Sequence, residues 1–150
     1  MKVYIASDHA GYILKEELFN YLVSLNIDAY NLGCDSTNSV DYPDYASKVA
    51  KEVQKGDALG ILVCYTGIGM SITANKYKGI RASLVGKLED AILTREHNDA
   101  NILCLSAKNT NELDAKKIVK AFLDTKFLGE RHLRRVNKIK LIEDEERKGL

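Results

Sequence analysis

A cysteine followed at once by a glycine-bearing turn is where chemistry gathers in this 150-residue chain. The stretch Gly60 to Lys76, GILVCYTGIGMSITANK, runs from an apolar segment through Cys64 into Tyr65, Thr66, Gly67, Ile68 and Gly69, then into a helix-like segment. Short apolar runs bounded by glycine read as strands, and Gly67 and Gly69 let backbone amides approach a ligand without obstruction. Cys64 then sits at a strand's carboxyl end. Open α/β sheets bind ligands there, and a helix N-terminus at that point can favour a thiolate and hold an anion. Complementary groups occur in three other segments: Asp8 and His9 in SDHAG, His97 and Asn98 in REHNDAN, and Arg131 and Arg135 in GERHLRR. Cys64, Asp8 and His97 have the chemistry to move protons; Arg131, Arg135 and Lys108 suit a phosphate; the glycine turn suits an oxyanion. A small phosphorylated metabolite fits these groups better than a nucleic acid, which calls for a broader basic face.

The elements that must position these groups alternate along the chain. Lys2 to Ser7 reads as a strand, and Gly11 to Leu25 as an amphipathic helix with Leu14, Leu18, Leu22 and Leu25 at helical spacing. Strands are expected over Ile27 to Leu32, Ala58 to Val63, Gly79 to Val85 and Asn101 to Leu105. Helices are expected over about 43 to 55, from the central turn to about Tyr77, over Leu88 to Glu96 and over Asn111 to Phe127, with Pro43 suiting a first turn and Gly56 a cap. Such alternation, with continuously apolar strands, predicts an α/β fold: a five-stranded parallel sheet covered on both faces by helices. Strand order does not follow from the pattern. The tail after Phe127 has too few apolar residues for a core layer, so it reads as a solvated charged helix or as an arm laid over a partner subunit.

Bulk composition limits the alternatives. With 45% hydrophobic and 29% charged residues, the chain is expected to form one domain. Its 22 basic and 21 acidic residues nearly cancel, which argues against general affinity for nucleic acid or membrane surfaces. Cys34, Cys64 and Cys104 are odd in number and widely spaced, without a CxxC or Cys/His pairing suggestive of metal. Reduced cytoplasmic thiols are the simplest reading. MKVYIASDHAG fits a first strand rather than a signal peptide.

Taken together, SDHAG, YPDYA (42–46), CxTGIGxSIxANK (64–76), GIRA (79–82), REHNDANIL (95–103) and RHxxRV (131–136) make the chain resemble the type B ribose-5-phosphate isomerases and the related galactose-6-phosphate isomerase subunits. The resemblance covers nearly the whole chain. It implies a three-layer Rossmann-like fold, a C-terminal helical arm, and a homodimer or dimer of dimers with its site at the subunit interface. It also implies interconversion of ribose 5-phosphate and ribulose 5-phosphate without metal or organic cofactor. Carried over by residue, it makes Cys64 the base acting at C2 and C1 through a cis-enediolate, with Thr66 in the catalytic set. The amides of Tyr65, Thr66, Gly67, Ile68 and Gly69 hold the enediolate oxygen, and His97 opens the furanose ring with Asn98 beside it. Asp8 and His9 match substrate contacts, Arg131 and Arg135 match phosphate ligands that reach across the interface, and Lys108 is a third basic position.

Some residues depart from the family pattern. Met70 stands where cysteine-lacking members carry a glutamate base, which places this chain in the cysteine-dependent branch. Tyr65 and Glu130 each stand where glycine is usual, and Lys108 where arginine is common. A left-handed backbone at Tyr65 would be strained; alternatively its phenol points toward the pocket. A six-carbon sugar phosphate isomerase, a non-catalytic phosphate- or nucleotide-sensing module and a thiol-redox protein are the competing readings.

Overall fold

The computed structural model describes residues 1–148. Strands β1 (Lys2–Ser7), β2 (Asp28–Asn31), β3 (Ala58–Cys64), β4 (Ala82–Leu84) and β5 (Ile102–Ser106) form one sheet in the order β2-β1-β3-β5-β4, with every pairing parallel. Around it lie α1 (Tyr12–Ser24), α2 (Tyr42–Gln54), α3 (Ile68–Ala74), α4 (Leu88–Asn98), α5 (Glu112–Asp124) and α6 (Arg131–Glu146). The α/β architecture is the one expected from the sequence.

Because side chains alternate along a strand, β3 supplies both faces of the sheet. Ile61 and Val63 pack with Leu14, Leu18 and Leu22 of α1 and with Ile118, Val119 and Phe122 of α5. Leu62 and Cys64 pack with Val49, Ala50 and Val53 of α2 and with Met70 and Ala74 of α3. Thus α1 and α3 leave the neighbouring strands β1 and β3 toward opposite faces. A crevice opens at the carboxyl ends of those two strands. On α1 the fully buried Lys15 donates to the Asn31 side chain at 3.2 Å and to the Cys34 carbonyl at 2.7 Å, tying the helix to the segment after β2.

Two boundaries fall short of the expectation for a local reason. The α3 helix ends at Ala74 rather than Tyr77, and β4 begins at Ala82 rather than Gly79. The Asn75 amide donates to the Ala82 carbonyl at 2.9 Å and accepts from the Ala82 N–H at 2.8 Å, which turns the chain directly into β4. Residues 79 to 81 bond instead to the turn before β5: the Asn101 side chain donates to the Gly79 carbonyl and accepts from the Arg81 N–H, both at 2.8 Å.

The tail is helical. Only His132 and Val136 of α6 are buried, while Leu133, Ile139, Leu141 and Ile142 are exposed. One covered aliphatic side chain contributes about 1.5–3 kcal/mol, so the apolar core does little to hold α6. Polar contacts attach its far end to the α3–β4 turn: Glu143 accepts from the Gly79 N–H at 2.8 Å and Lys78 pairs with Asp144 at 3.3 Å.

The α6 helix is preceded by Glu130 at φ 52°, ψ −127°, a backbone region that suits glycine. Such strain costs about 1–3 kcal/mol, whereas glycine's extra freedom in the unfolded chain costs about 0.5–1 kcal/mol. The Glu130 side chain is exposed and caps nothing. Glu130→Gly is therefore expected to stabilise the fold by about 1 kcal/mol, raising Tm by about 2–4 °C for a chain of this size. Thermal unfolding of the two proteins measures this, and an unchanged or lowered Tm would mean that the backbone there is unstrained.

Candidate functional site

Cys64 ends β3 and is 5% exposed. Its sulfur accepts the Gly67 N–H at 3.2 Å. That contact requires a sharp reversal immediately after the strand, and Gly67 makes it at φ 79°, ψ −13°. A Cβ at Gly67 would also lie 3.0 Å from the Leu105 carbonyl group and 2.5 Å from the Leu84 side chain. Thr66, between them, accepts the Ile68 N–H through Oγ1 at 3.3 Å.

Asp8, Tyr42, Cys64, Tyr65, Thr66, Ile68, Gly69 and Ile72 line a cavity of about 430 Å³ over this turn. Asp8 comes from the end of β1 and is held in place: its backbone N–H donates to the Val63 carbonyl at 3.2 Å and its carboxylate accepts the Gly11 N–H at 3.0 Å. Next to it, His9 accepts the Val40 N–H through Nδ1 at 3.1 Å. A backbone amide can only donate, so Nδ1 carries the lone pair and Nε2 the hydrogen. Tyr42 and Ile72 are absent from the residues expected from sequence. The YPDYA motif was a signal for Tyr42, and its ring explains Gly69, where a Cβ would come within 2.5 Å of it.

Tyr65 has no left-handed backbone, so of the two alternatives at this position the strained one does not arise. Its carbonyl accepts from the Ser106 hydroxyl and from the Lys108 N–H, each at 2.9 Å. The ring is 55% exposed on the cavity wall, with the Lys108 ammonium 5.7 Å from its centroid. Lys108 therefore reaches the mouth of the cavity through Tyr65. Met70 is fully buried between α2 and α3, so this helix position brings no acid to the cavity.

Cys64 has no disulfide partner, for all three cysteines are free. Cys104 is fully buried, and burial pushes its thiol up, with a smaller push from Cys64. Cys34 donates from its sulfur to the Ser36 carbonyl at 3.3 Å. Among the described residues, no group of three or more His, Cys, Asp or Glu side chains is gathered to hold a metal ion, and no helix is long and apolar enough to cross a membrane.

His97, Asn98, Arg131 and Arg135 form a second group elsewhere. The α4 helix runs back against the strand direction in its crossover, so its end lies at the sheet's amino edge. Cys64 pairs with Ser106 at the carboxyl end of β5, while His97 and Asn98 precede Ile102 at the other end. Four strand residues separate these levels by roughly 13 Å. The grouping of Cys64 with His97 suggested by the sequence is thus not realised within one chain. Behind His97, Asp99 ends α4 in a left-handed conformation, held by Arg81 at 3.2 Å and by Arg95 at 3.7 Å. Burial lowers the Arg95 pKa, a trend that Asp99 opposes. Arg131 and Arg135 are exposed on α6 one turn apart.

The family model described as Ribose/Galactose Isomerase matches residues 3–139. Ribose-5-phosphate isomerase B of Escherichia coli is 42% identical over 143 residues, covering 95% of this chain and 96% of that protein. The structure of ribose-5-phosphate isomerase B from Clostridium thermocellum superposes with a TM-score of 0.95 at 44% identity, covering 97% of this chain and 99% of that one. The enzyme from Mycoplasma genitalium, solved with bound ribulose 5-phosphate, gives 0.93 at 41% identity, covering 96% and 97%.

Proposed function

The chain belongs to the ribose/galactose isomerase family, and we propose that it interconverts D-ribose 5-phosphate and D-ribulose 5-phosphate within the pentose phosphate pathway. The observation that carries this reading is the Cys64 sulfur, set against the Gly67 N–H and opening on a cavity walled by Asp8 and Thr66. The Cys64 thiolate takes the C2 proton of the open-chain aldose, the C2 electron pair forms the C1–C2 double bond, and the aldehyde oxygen becomes an enediolate. Amides of the 65–69 turn face that charge. The same sulfur returns a proton to C1 while the hydroxyl proton passes from O2 to O1. Protons and electrons balance within the sugar, so the step calls for no oxidant or reductant.

Ring opening and phosphate binding require groups that one chain keeps at the far end of its sheet. We assign them to a second copy: the partner's His97 opens the furanose with the partner's Asn98 beside it, and the partner's Arg131 and Arg135 bind the phosphate. Asp8 and His9 of the first chain contact the sugar, and Lys108 stands at the mouth. Supporting a homodimer are the separation of the two groups and the exposed apolar side chains Ile68 and Ile72 beside the cavity. Free thiols without disulfides suit the cytoplasm.

The direct test is turnover of ribose 5-phosphate against allose 6-phosphate and galactose 6-phosphate by the purified protein. Tyr42 and Tyr65 wall the cavity, and in a pocket shaped to its ligand one methylene more or less is worth about 10–200-fold. The five-carbon substrate is expected to have the higher kcat/KM by at least about tenfold. Negligible activity on ribose 5-phosphate rejects the proposal.

A further inference from the structure

The imidazoles of His97 on α4 and His132 on α6 lie face to face, with centroids 4.3 Å apart and planes inclined by 11°. His132 is only 5% exposed, whereas His97 is half-buried. On α6 only His132 and Val136 are buried. The stack joins the start of α6 to the end of α4, beside the Leu128 N–H that donates to the Glu96 carbonyl at 3.1 Å. It also places the residue assigned to ring opening against a second titratable ring.

We propose that His132 is a positioning residue for His97: the stacked ring fixes the His97 imidazole and restricts the pair to a single proton. This inference rests on the ring-opening role given to His97 above. Two imidazolium ions at this separation repel, while a neutral ring against a charged one does not. The charged groups that act on His132 are His97 from α4, which faces it, and Glu130, Arg131 and Arg135 from its own segment. Burial lowers its pKa most, then His97, Arg131 and Arg135, with Glu130 alone opposing. The neutral form of His132 is thus favoured, first by its burial and then by the like charges around it. A neutral ring behind His97 lets it alternate between acid and base at the sugar oxygen while its plane stays fixed.

The chain has three histidines, so their ring C–H resonances can be followed separately through a pH titration of the intact protein. His97→Phe is expected to raise the His132 midpoint, because it removes a like charge while leaving a ring over His132 to keep it buried. An unchanged His132 midpoint overturns the one-proton restriction. In turnover, His132→Ala is expected to lower kcat/KM about tenfold through a loosened His97 ring, and His132→Phe to recover most of that loss because a flat ring is restored. If both variants lose equally, or neither loses, the positioning role is overturned. The titration needs no turnover, so an inactive enzyme, which would defeat the isomerase reading, leaves this result legible.

Discussion

Cys64→Ala is expected to lower kcat on ribose 5-phosphate by about 10³-fold or more while leaving the protein folded and able to bind the sugar phosphate. General acid–base groups contribute about 10²–10⁴-fold, and 10³ corresponds to about 4 kcal/mol of barrier. The upper part of that range applies because one sulfur serves both proton transfers and neither Cys104 nor Met70 can replace it. Cys104 is sealed in the sheet with its thiol pushed up by burial, and Met70 has no proton to exchange. Folding should survive the change: Cys64 is small, and its hydrogen bond is to a turn amide that a water entering the cavity can satisfy. Steady-state kinetics with a binding measurement separates the possibilities. Retained turnover would remove Cys64 from the mechanism, whereas lost binding would make it a structural residue. A phosphate-sensing module, in contrast, would lose little with this substitution.

A second large effect is expected on mixing two inactive proteins, Cys64→Ala and the double variant His97→Ala/Arg135→Ala. If each site joins Cys64 of one chain to His97 and Arg135 of the other, a mixed dimer contains one complete site and one doubly defective one. Random exchange makes half of the dimers mixed, so about a quarter of wild-type specific activity should appear from two preparations with almost none. Were these residues to act within their own chain, every site in the mixture would remain defective. No recovery, with subunit exchange confirmed by mass or fluorescence, would therefore refute the shared site. The expectation follows from α4 ending at the amino edge of β5 while Cys64 stands level with Ser106.

Much of this arrangement is legible in the residues themselves. The apolar run ending at Cys64, with glycines at 67 and 69, marks strand, turn and helix because each step has a local cause: alternating burial, a left-handed residue, then helical spacing. Local side-chain bonds blur the boundaries. Asn75 caps the departure from α3 through a contact with Ala82, and hydrophobic periodicity carries no trace of that amide. Tyr65 and Glu130 show the same limit from two sides. The resemblance led a glycine to be expected at both, yet only Glu130 takes a left-handed backbone. Tyr42 was within a recognised motif, but its role depends on a ring lying over Gly69, a contact between different elements.

By itself, the sequence determined the fold class, the element types, the chemistry available at Cys64 and the family, because these depend on local patterning and on motifs in fixed order. Only the tertiary structure decided which residues share a site. The crossovers lay α4 back across the strands, which carries His97 away from Cys64 in one chain and brings it against His132 of α6. The reason is physical: periodicity records which face of an element is buried, but the end of the sheet at which a side chain emerges, and the neighbour it meets there, follow from how the elements pack.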